Sequence, residues 1–552
     1  MNDIRRSILW VIFGFSMVLL WDKWQIHNGQ PATFFTQPAP ATAATAPKAD
    51  GSLPTASAVE SSAQLPGAAN APAVKRELID VKTDLFHVRF DTEGGSIVQA
   101  AFTKLLNHDK QPLVLLDDSA ERRYMAQTGL IGGEFPNHKS AMRFSGERQM
   151  ADGQDSLSVR FESDVVGGVK LVKTYTFKRG SYAINVKNEV VNTGTATVQP
   201  QLYMQLVRDG NKPEGESKFY STFTGPAIYT EAAKYHKVDF EDIAKGKAEV
   251  DKQSDNGYVA MVQHYFASAW LLDAGVQREN FVRKVGDNLF AVGMIAPLGD
   301  IAAGQSKTIE NRLFIGPQQE KMLETLAPGL ELLKDYGWLA MLAKPLYWLL
   351  DKLHSFIQNW GWSIMALVLT IKLAFYWLNA KAYASMAKMK AINPKVTEMR
   401  ERLKGDPQKM QQEMLRIYRE EKVNPMGGCF PMLIQIPVFI ALYWVLLSSV
   451  EMRHAPWVGW ITDLSAPDPF YILPLVMTLT TVVQTALNPI PPDPMQAKLM
   501  WIMPLAFSVM FFFFPSGLVL YWITNNVLTI AQQWVINTRL GVPPQFNLPK
   551  FK

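Results

Sequence analysis

The chain has 552 residues, 48% of them hydrophobic, with 55 basic and 50 acidic side chains and a net charge of +5. That near-balance gives no general case for a nucleic-acid binder, and the single cysteine, Cys429, excludes an intrachain disulfide. A mean hydropathy of -0.02 averages unlike parts: apolar runs crowd residues 1–21 and everything after about Gly361, while the stretch between reads as a water-soluble protein.

Arg5 and Arg6 precede an uncharged apolar run at residues 7–21, the pattern of a cleaved signal peptide or of a retained anchor. Trp21, Asp22, Lys23 and Trp24 follow in place of a cleavage site, and the nearest Ala-x-Ala is Ala41 to Ala43, so residues 1–27 are expected to remain as a membrane anchor with the arginines cytoplasmic. Residues 28–74 are rich in Ala, Pro, Thr and Ser. They bury too little to offset chain entropy and read as a flexible tether, spanning about 40 Å as a coil.

From residue 75 to about 320 the period is two: Phe86, Val88 and Phe90 alternate with polar residues, as do Tyr175 and Phe177, then Tyr182, Ile184 and Val186. Glu93-Gly94-Gly95-Ser96, Gly167-Gly168 and Lys178-Arg179-Gly180 supply turns. One large antiparallel β-sandwich is expected. His87, His108, His138, His236 and His264 fall in no motif, so core or surface roles are expected of them.

Residues 321–360 hold an amphipathic stretch. Trp338, Leu339, Leu342, Leu346, Leu349, Leu350 and Leu353 gather on one helical face, and Lys344, Asp351 and Lys352 interrupt the run too often for a span. This helix is expected to lie flat on the outer leaflet, its plainer alternative being the core helix of a soluble domain. Five further spans follow in the region 361–552: 363–378, 431–450, 470–487, 499–514 and 518–536, which with the anchor makes six. The last two are separated by Pro515-Ser516-Gly517. As one helix they would run about 57 Å, so a tight hairpin turn is required there. Spans 7–21, 363–378 and 499–514 would cover only about 23 to 24 Å against about 30 Å of hydrocarbon, short enough to thin the bilayer unless longer neighbours shield them.

Eleven Lys and Arg lie between Lys381 and Lys422, so the segment 381–425 is expected to be cytoplasmic. Alternate crossings then put both termini in the cytoplasm and the sandwich outside. Within the segment Met389, Ile392, Val396, Met399 and Leu403 step by three and four, Gly405-Asp406-Pro407 makes a turn, and Met410, Met414 and Ile417 continue the spacing. The pattern predicts a helical hairpin, with Asn393-Pro394 as a cap and first-turn proline separating it from the preceding membrane helix. Methionines give such a hairpin a soft surface for varied partners, though pairing of its two helices explains most of the pattern.

Lys372 lies inside span 363–378. Insertion of a lysine there costs about 2.5 to 3.5 kcal/mol, so it is expected to face the bundle interior or a wet cavity, the bland alternative being a stem that snorkels to the cytoplasmic headgroups. Tyr521, Asn525, Thr529 and Gln532 are spaced by four, four and three on one face of the last span, with Thr524 and Gln533 beside them, Gln435 in the third span and Gln484 in the fourth. Such groups suit a cavity wall and also glue membrane helices together. No intramembrane acid is available to pair with Lys372, whereas ion-coupled transporters usually carry one. A lone positive charge suits the polar or acidic flank of a client polypeptide. No phosphate-binding loop, catalytic triad or metal-ligand cluster occurs in this half, so neither a cofactor nor enzyme activity is expected. The other classes are a polytopic solute transporter with a periplasmic receptor domain and a tethered carbohydrate-binding or sugar-modifying protein.

The runs Asn424-Pro-Met-Gly-Gly-Cys-Phe-Pro-Met-Leu-Ile-Gln-Ile-Pro437, Phe514-Pro-Ser-Gly-Leu-Val-Leu-Tyr-Trp522 and Asp493-Pro-Met-Gln496 resemble signatures of the bacterial, Gram-negative branch of the YidC/Oxa/Alb membrane insertases. The resemblance implies a five-helix insertase core with a hydrophilic groove open to cytoplasm and lipid, and a periplasmic β-supersandwich similar to sugar mutarotases. It also implies nascent membrane-protein clients, SecYEG and SecDF as partners, and a cytoplasmic face open to ribosomes or targeting factors. The family's groove cation is usually arginine and is Lys372 here, which keeps the charge and loses the planar fork; a hydroxyl residue often found four positions earlier is Val368. Tyr521 and Trp522 stand where the family contacts nascent chains.

Overall fold

The computed structural model describes residues 76–107, 109–213, 222–403, 405–421, 430–488, 494–539, 541 and 546–547. The expected anchor, the tether, His108, and the Asn424 to Cys429 part of the third-span signature lie outside them. The chain divides between Lys334 and Asp335 into two compact units, each taken by itself.

Among the described residues of the first unit, eighteen strands, from Leu78–Lys82 to Ser306–Pro317, form two nine-stranded sheets, paired in antiparallel ladders such as Val169–Lys178 with Ala183–Asn192. Strand Phe86–Asp91 buries Phe86, Val88 and Phe90 and turns His87 and Arg89 outward, as the two-residue period predicts. Rings from opposite sheets meet between them: Phe90 lies 5.0 Å from Phe161 and 4.9 Å from Tyr175, centroid to centroid. Each such pair contributes about 0.5 to 1.5 kcal/mol beyond its burial. Lys173 is 0% exposed, yet its ammonium reaches across to the other sheet and donates to the carbonyls of Gly94 at 2.6 Å and Thr128 at 2.7 Å. The turn at Gly94 requires glycine, since φ is +76° and a Cβ would lie 2.3 Å from the His138 carbonyl oxygen. Two short helices, α1 (Phe240–Ala244) and α2 (Glu320–Leu326), join this unit. Leu323 of α2 packs with Leu330 and Leu333 onto the sheet residues Tyr258 and Leu271.

The second unit is helical: α3 (Ala340–Ile357), α4 (Trp360–Ala374), α5 (Tyr376–Arg402), α6 (Pro407–Glu420), α7 (Phe430–Ser448), α8 (Ile472–Leu487), α9 (Pro494–Met510) and α10 (Ser516–Arg539). Local chemistry sets several of the starts. The Asn359 side chain accepts from the Trp362 N–H at 3.1 Å to open α4, and Asp406 accepts from the Lys409 N–H at 3.1 Å, with Pro407 in the first turn, to open α6. No single described helix is both long and apolar enough to cross a membrane; α4 and the first turns of α5 pass together, bent by 64°.

Four expectations are corrected. The span 363–378 is not one straight helix, because Phe375, at φ -91° and ψ 10°, opens the backbone between α4 and α5. Asn393-Pro394 does not cap a new helix: α5 runs through Pro394, which costs the ladder one donor without ending it. The separation before the hairpin falls at Phe375 instead. The turn expected at Pro515-Ser516-Gly517 is shorter, as α10 already begins at Ser516. Its first N–H groups, on Ser516 and Gly517, donate to the carbonyls of Ala466 and Leu464 at 2.8 and 2.9 Å. Finally, α3 has two apolar faces rather than one. Leu339, Ala343, Tyr347 and Leu350 are buried against neighbouring helices, while Trp338, Met341, Trp348 and Phe356 are exposed on the other side.

Candidate functional site

The Lys372 side chain lies between α4 and α10, 7% exposed, and its Nζ donates to Thr529 Oγ1 at 2.8 Å. Thr529 in turn donates to the Asn525 carbonyl at 2.6 Å, which orients its lone pairs toward the ammonium. The ammonium thus ends on α10, beside Thr529. Among the described residues no carboxylate pairs with it, and Thr529 is the one side chain its three donors reach.

The helical face expected from the spacing of four, four and three is the inward face. Tyr521, Asn525 and Thr529 are buried, as is Thr524, whose hydroxyl donates to the Leu520 carbonyl at 2.8 Å, and Gln532 is half-buried. Gln532 Oε1 accepts from Asn379 Nδ2 at 3.1 Å, joining α10 to α5. On the other flank Asn526 Nδ2 donates to Thr480 and Thr481 at 3.2 and 3.0 Å, and Gln533 Nε2 donates to the Leu487 carbonyl at 3.3 Å, joining α10 to α8. Gln484 is half-buried on α8, and the Gln435 side chain lies outside the described ones. The result is a polar seam along α10, met by a cation from α4 and amides and hydroxyls from α5 and α8.

Tyr521 and Trp522 enter an aromatic cluster above the seam. Phe439 of α7 lies 5.3 Å from Tyr521 and 5.4 Å from Trp522, and Phe511 lies 4.9 Å from Trp522. Asn379, Asn526, Thr480, Thr481, Phe439 and Phe511 were not read as site residues from the sequence. Asn379 follows the expected end of its span and counts there as loop, but the bend at Phe375 brings it back to α10. Asn526 belongs to the polar row on α10, where a spacing of one from Asn525 sets it on a different face.

In the hairpin, α5 and α6 fold back so that the Lys395 ammonium pairs with Glu421 at 2.5 Å. Ile392, Val396 and Met399 are buried, and Leu403, Met410 and Met414 are half-buried toward them. The two helices are in contact, and the Met389 side chain lies outside the described ones. Among the described residues no group of His, Cys, Asp and Glu could hold a metal.

With this geometry, comparison with known proteins is decisive. The YidC periplasmic domain family matches residues 78–349, and the 60Kd inner membrane protein family matches residues 352–542. The chain belongs to the YidC family of membrane insertases. The membrane protein insertases YidC of Cupriavidus taiwanensis and Ralstonia nicotianae are 56% and 54% identical to it, each alignment covering 98% of this chain and 98% of the relative. A crystal structure of an active YidC insertase covers 84% of this chain and 92% of its own, at 19% identity and a TM-score of 0.37. YidC membership makes this an inner-membrane protein with a periplasmic domain, which is the strand unit. It leaves the solute-transporter reading without support.

Proposed function

We propose that this chain inserts hydrophobic segments of other proteins into the inner membrane along the polar seam of α10, with Lys372 as the receiving cation. The carrying observation is the buried ammonium that has a neutral hydroxyl, Thr529, and, among the described residues, no acid beside it. A permanently paired lysine would be inert toward a client, whereas this one keeps donors to offer. A client's polar flank takes those donors as its apolar part slides against α4 and α10, and transfer of the apolar part into lipid drives release without a nucleotide. Asn525, Thr529, Gln532, Thr524, Gln484 and Gln435 solvate the flank on its way. Tyr521 and Trp522 gate the apolar side through the ring cluster with Phe439.

In this reading the chain crosses the membrane six times, residues 1–27 being the anchor, both termini and the α5–α6 hairpin are cytoplasmic, and α3 lies at the outer interface. The basic hairpin faces ribosomes or targeting factors, and SecYEG and SecDF are partners for clients that need a translocon. The β-sandwich has no catalytic part in it.

The test is insertion of a single-span client into vesicles holding the purified chain. Lys372→Ala and Lys372→Glu are both expected to slow insertion at least several-fold, and Lys372→Arg to retain it. Wild-type rates for both Ala and Glu variants would remove the charge from the mechanism.

A further inference from the structure

Residues 449–471, which connect α7 to α8, have the polarity of a hydrated loop reversed. Asp468 is 1% exposed. Its Oδ1 accepts from Trp460 Nε1 and the Phe470 N–H, both at 3.0 Å, and its Oδ2 accepts from the Leu473 N–H at 2.7 Å. Asp463 accepts from the Ser465 N–H and hydroxyl at 2.8 and 2.7 Å and faces His454 Nδ1 at 3.4 Å. Glu451 accepts from the Tyr347 hydroxyl at 2.8 Å. Each acid of this connection is thus held by protein donors, Asp468 buried and Glu451 and Asp463 half-buried.

Apart from His454 and Thr462, what turns outward has no polar side chain beyond the Trp and Tyr rings. Phe470 is 64% exposed, and Val458, Trp460 and Tyr471 are exposed beside it. Tyr471 holds a left-handed backbone, φ 57°, that a bulky residue rarely adopts. The strain is sustained by its N–H donating to the Asp468 carbonyl at 3.1 Å and by its ring lying 5.7 Å from Phe512. A loop facing water gains nothing from hiding its carboxylates and presenting its rings.

The surface that meets these rings is identified by continuity. From Phe470 and Tyr471 the exposed stripe runs on along α8 through Ile472, Leu475, Val476 and Leu479, and in an inner-membrane protein that stripe meets lipid. Trp and Tyr rings at the end of a lipid-facing stripe suit the headgroup level, with the wholly apolar Phe470 ring suited to the acyl side of it. We infer that residues 449–471 form a lipid-interface anchor, with Trp460, Phe470 and Tyr471 seated at the boundary between headgroups and acyl chains where α8 enters the bilayer. The inference rests on membership of a membrane insertase family and not on the role of Lys372.

The experiment uses the full chain in phosphatidylcholine vesicles, with Cys429→Ser as background and an environment-sensitive fluorophore on a single introduced cysteine. Phe470→Cys reports from the patch centre, Val458→Cys reports with all three rings intact, and Asp152→Cys in an exposed turn of the strand unit is the aqueous control. Both patch labels are expected to emit at shorter wavelength than the control, to resist aqueous iodide several-fold better, and to be quenched by lipids spin-labelled near the headgroup. Iodide quenching equal to the control at both positions overturns the inference. So does resistance to iodide and spin-labelled lipid together, which would mean that protein, another part of the chain or a second copy, covers the patch.

Discussion

A lysine and a threonine, separated by 157 positions in sequence, make the contact on which the seam depends. Thr529→Val keeps the shape and deletes the acceptor. It should lower the thermal midpoint of the solubilised protein, consistent with about 1 to 3 kcal/mol for a buried donor left without its partner, and it should leave Lys372→Ala nearly unaffected when the two are combined. A second residue-scale prediction concerns Gly361, where a Cβ would lie 2.3 Å from Trp457 Cδ1. Gly361→Ala should destabilise the helical unit by about 1 to 3 kcal/mol, and Trp457→Ala, which removes the Cγ at 2.5 Å as well as the Cδ1, should offset part of that cost in a double-mutant cycle of thermal unfolding. The cost of placing a charge in lipid made Lys372 legible in the sequence, and helical spacing made Asn525 and Thr529 legible with it. Asn379 and Phe439 were not, since one acquires its neighbour through the bend at Phe375 and the other through a helix far away in the chain; Phe511 meets Trp522 across the Pro515 turn, and that turn was the signal that could have found it.

At the level of elements, the hydrophobic periods located the helices well and their interruptions poorly. The sandwich strands were legible because side chains alternate between a packed and a wet face, as in Phe86–Asp91. Pro394 misled because a proline inside a helix and a proline at its start look alike in sequence; packing of α5 against α6 and α10 decides, and it outweighs one lost hydrogen bond. Pro394→Ala should therefore return a donor to the Lys390 carbonyl and stabilise α5 by up to about 3 kcal/mol, read as slower amide exchange around residues 386–394. Faster exchange there would mean that the proline holds a needed distortion. The two-faced α3 shows the complementary limit: residues such as Trp338 and Leu339 are adjacent in sequence and serve opposite surroundings, one outside and one in the core. No span-length apolar window marks α10, because the seam residues Asn525, Asn526, Thr529 and Gln533 are the ones it buries.

For the molecule as a whole, pH acts most clearly on the periplasmic sandwich. Burial, with Lys173 and Arg283 nearby, pushes His138 down from 6.5 to about 4, and burial pushes Lys173 down from 10.5 to about 7. Both groups bind protons more readily when unfolded. The sandwich should thus lose about 3 kcal/mol of stability from His138 as pH falls from 6.5 to 4, and should gain stability from Lys173 as pH rises from 7 toward 10.5. Hydrogen exchange of the strand peptides in the full chain checks the sign, and a His138→Phe variant should flatten the acidic limb. At the bend in the membrane half Phe375 itself keeps two helical hydrogen bonds, donating to Ile371 and accepting from Asn379, both at 3.0 Å. The chain turns by 64° there while keeping these two bonds, and Lys372 lies on α4 three positions before the corner. The corner that sends α5 back toward α10 therefore lies within one helical turn of the contact between Lys372 and Thr529.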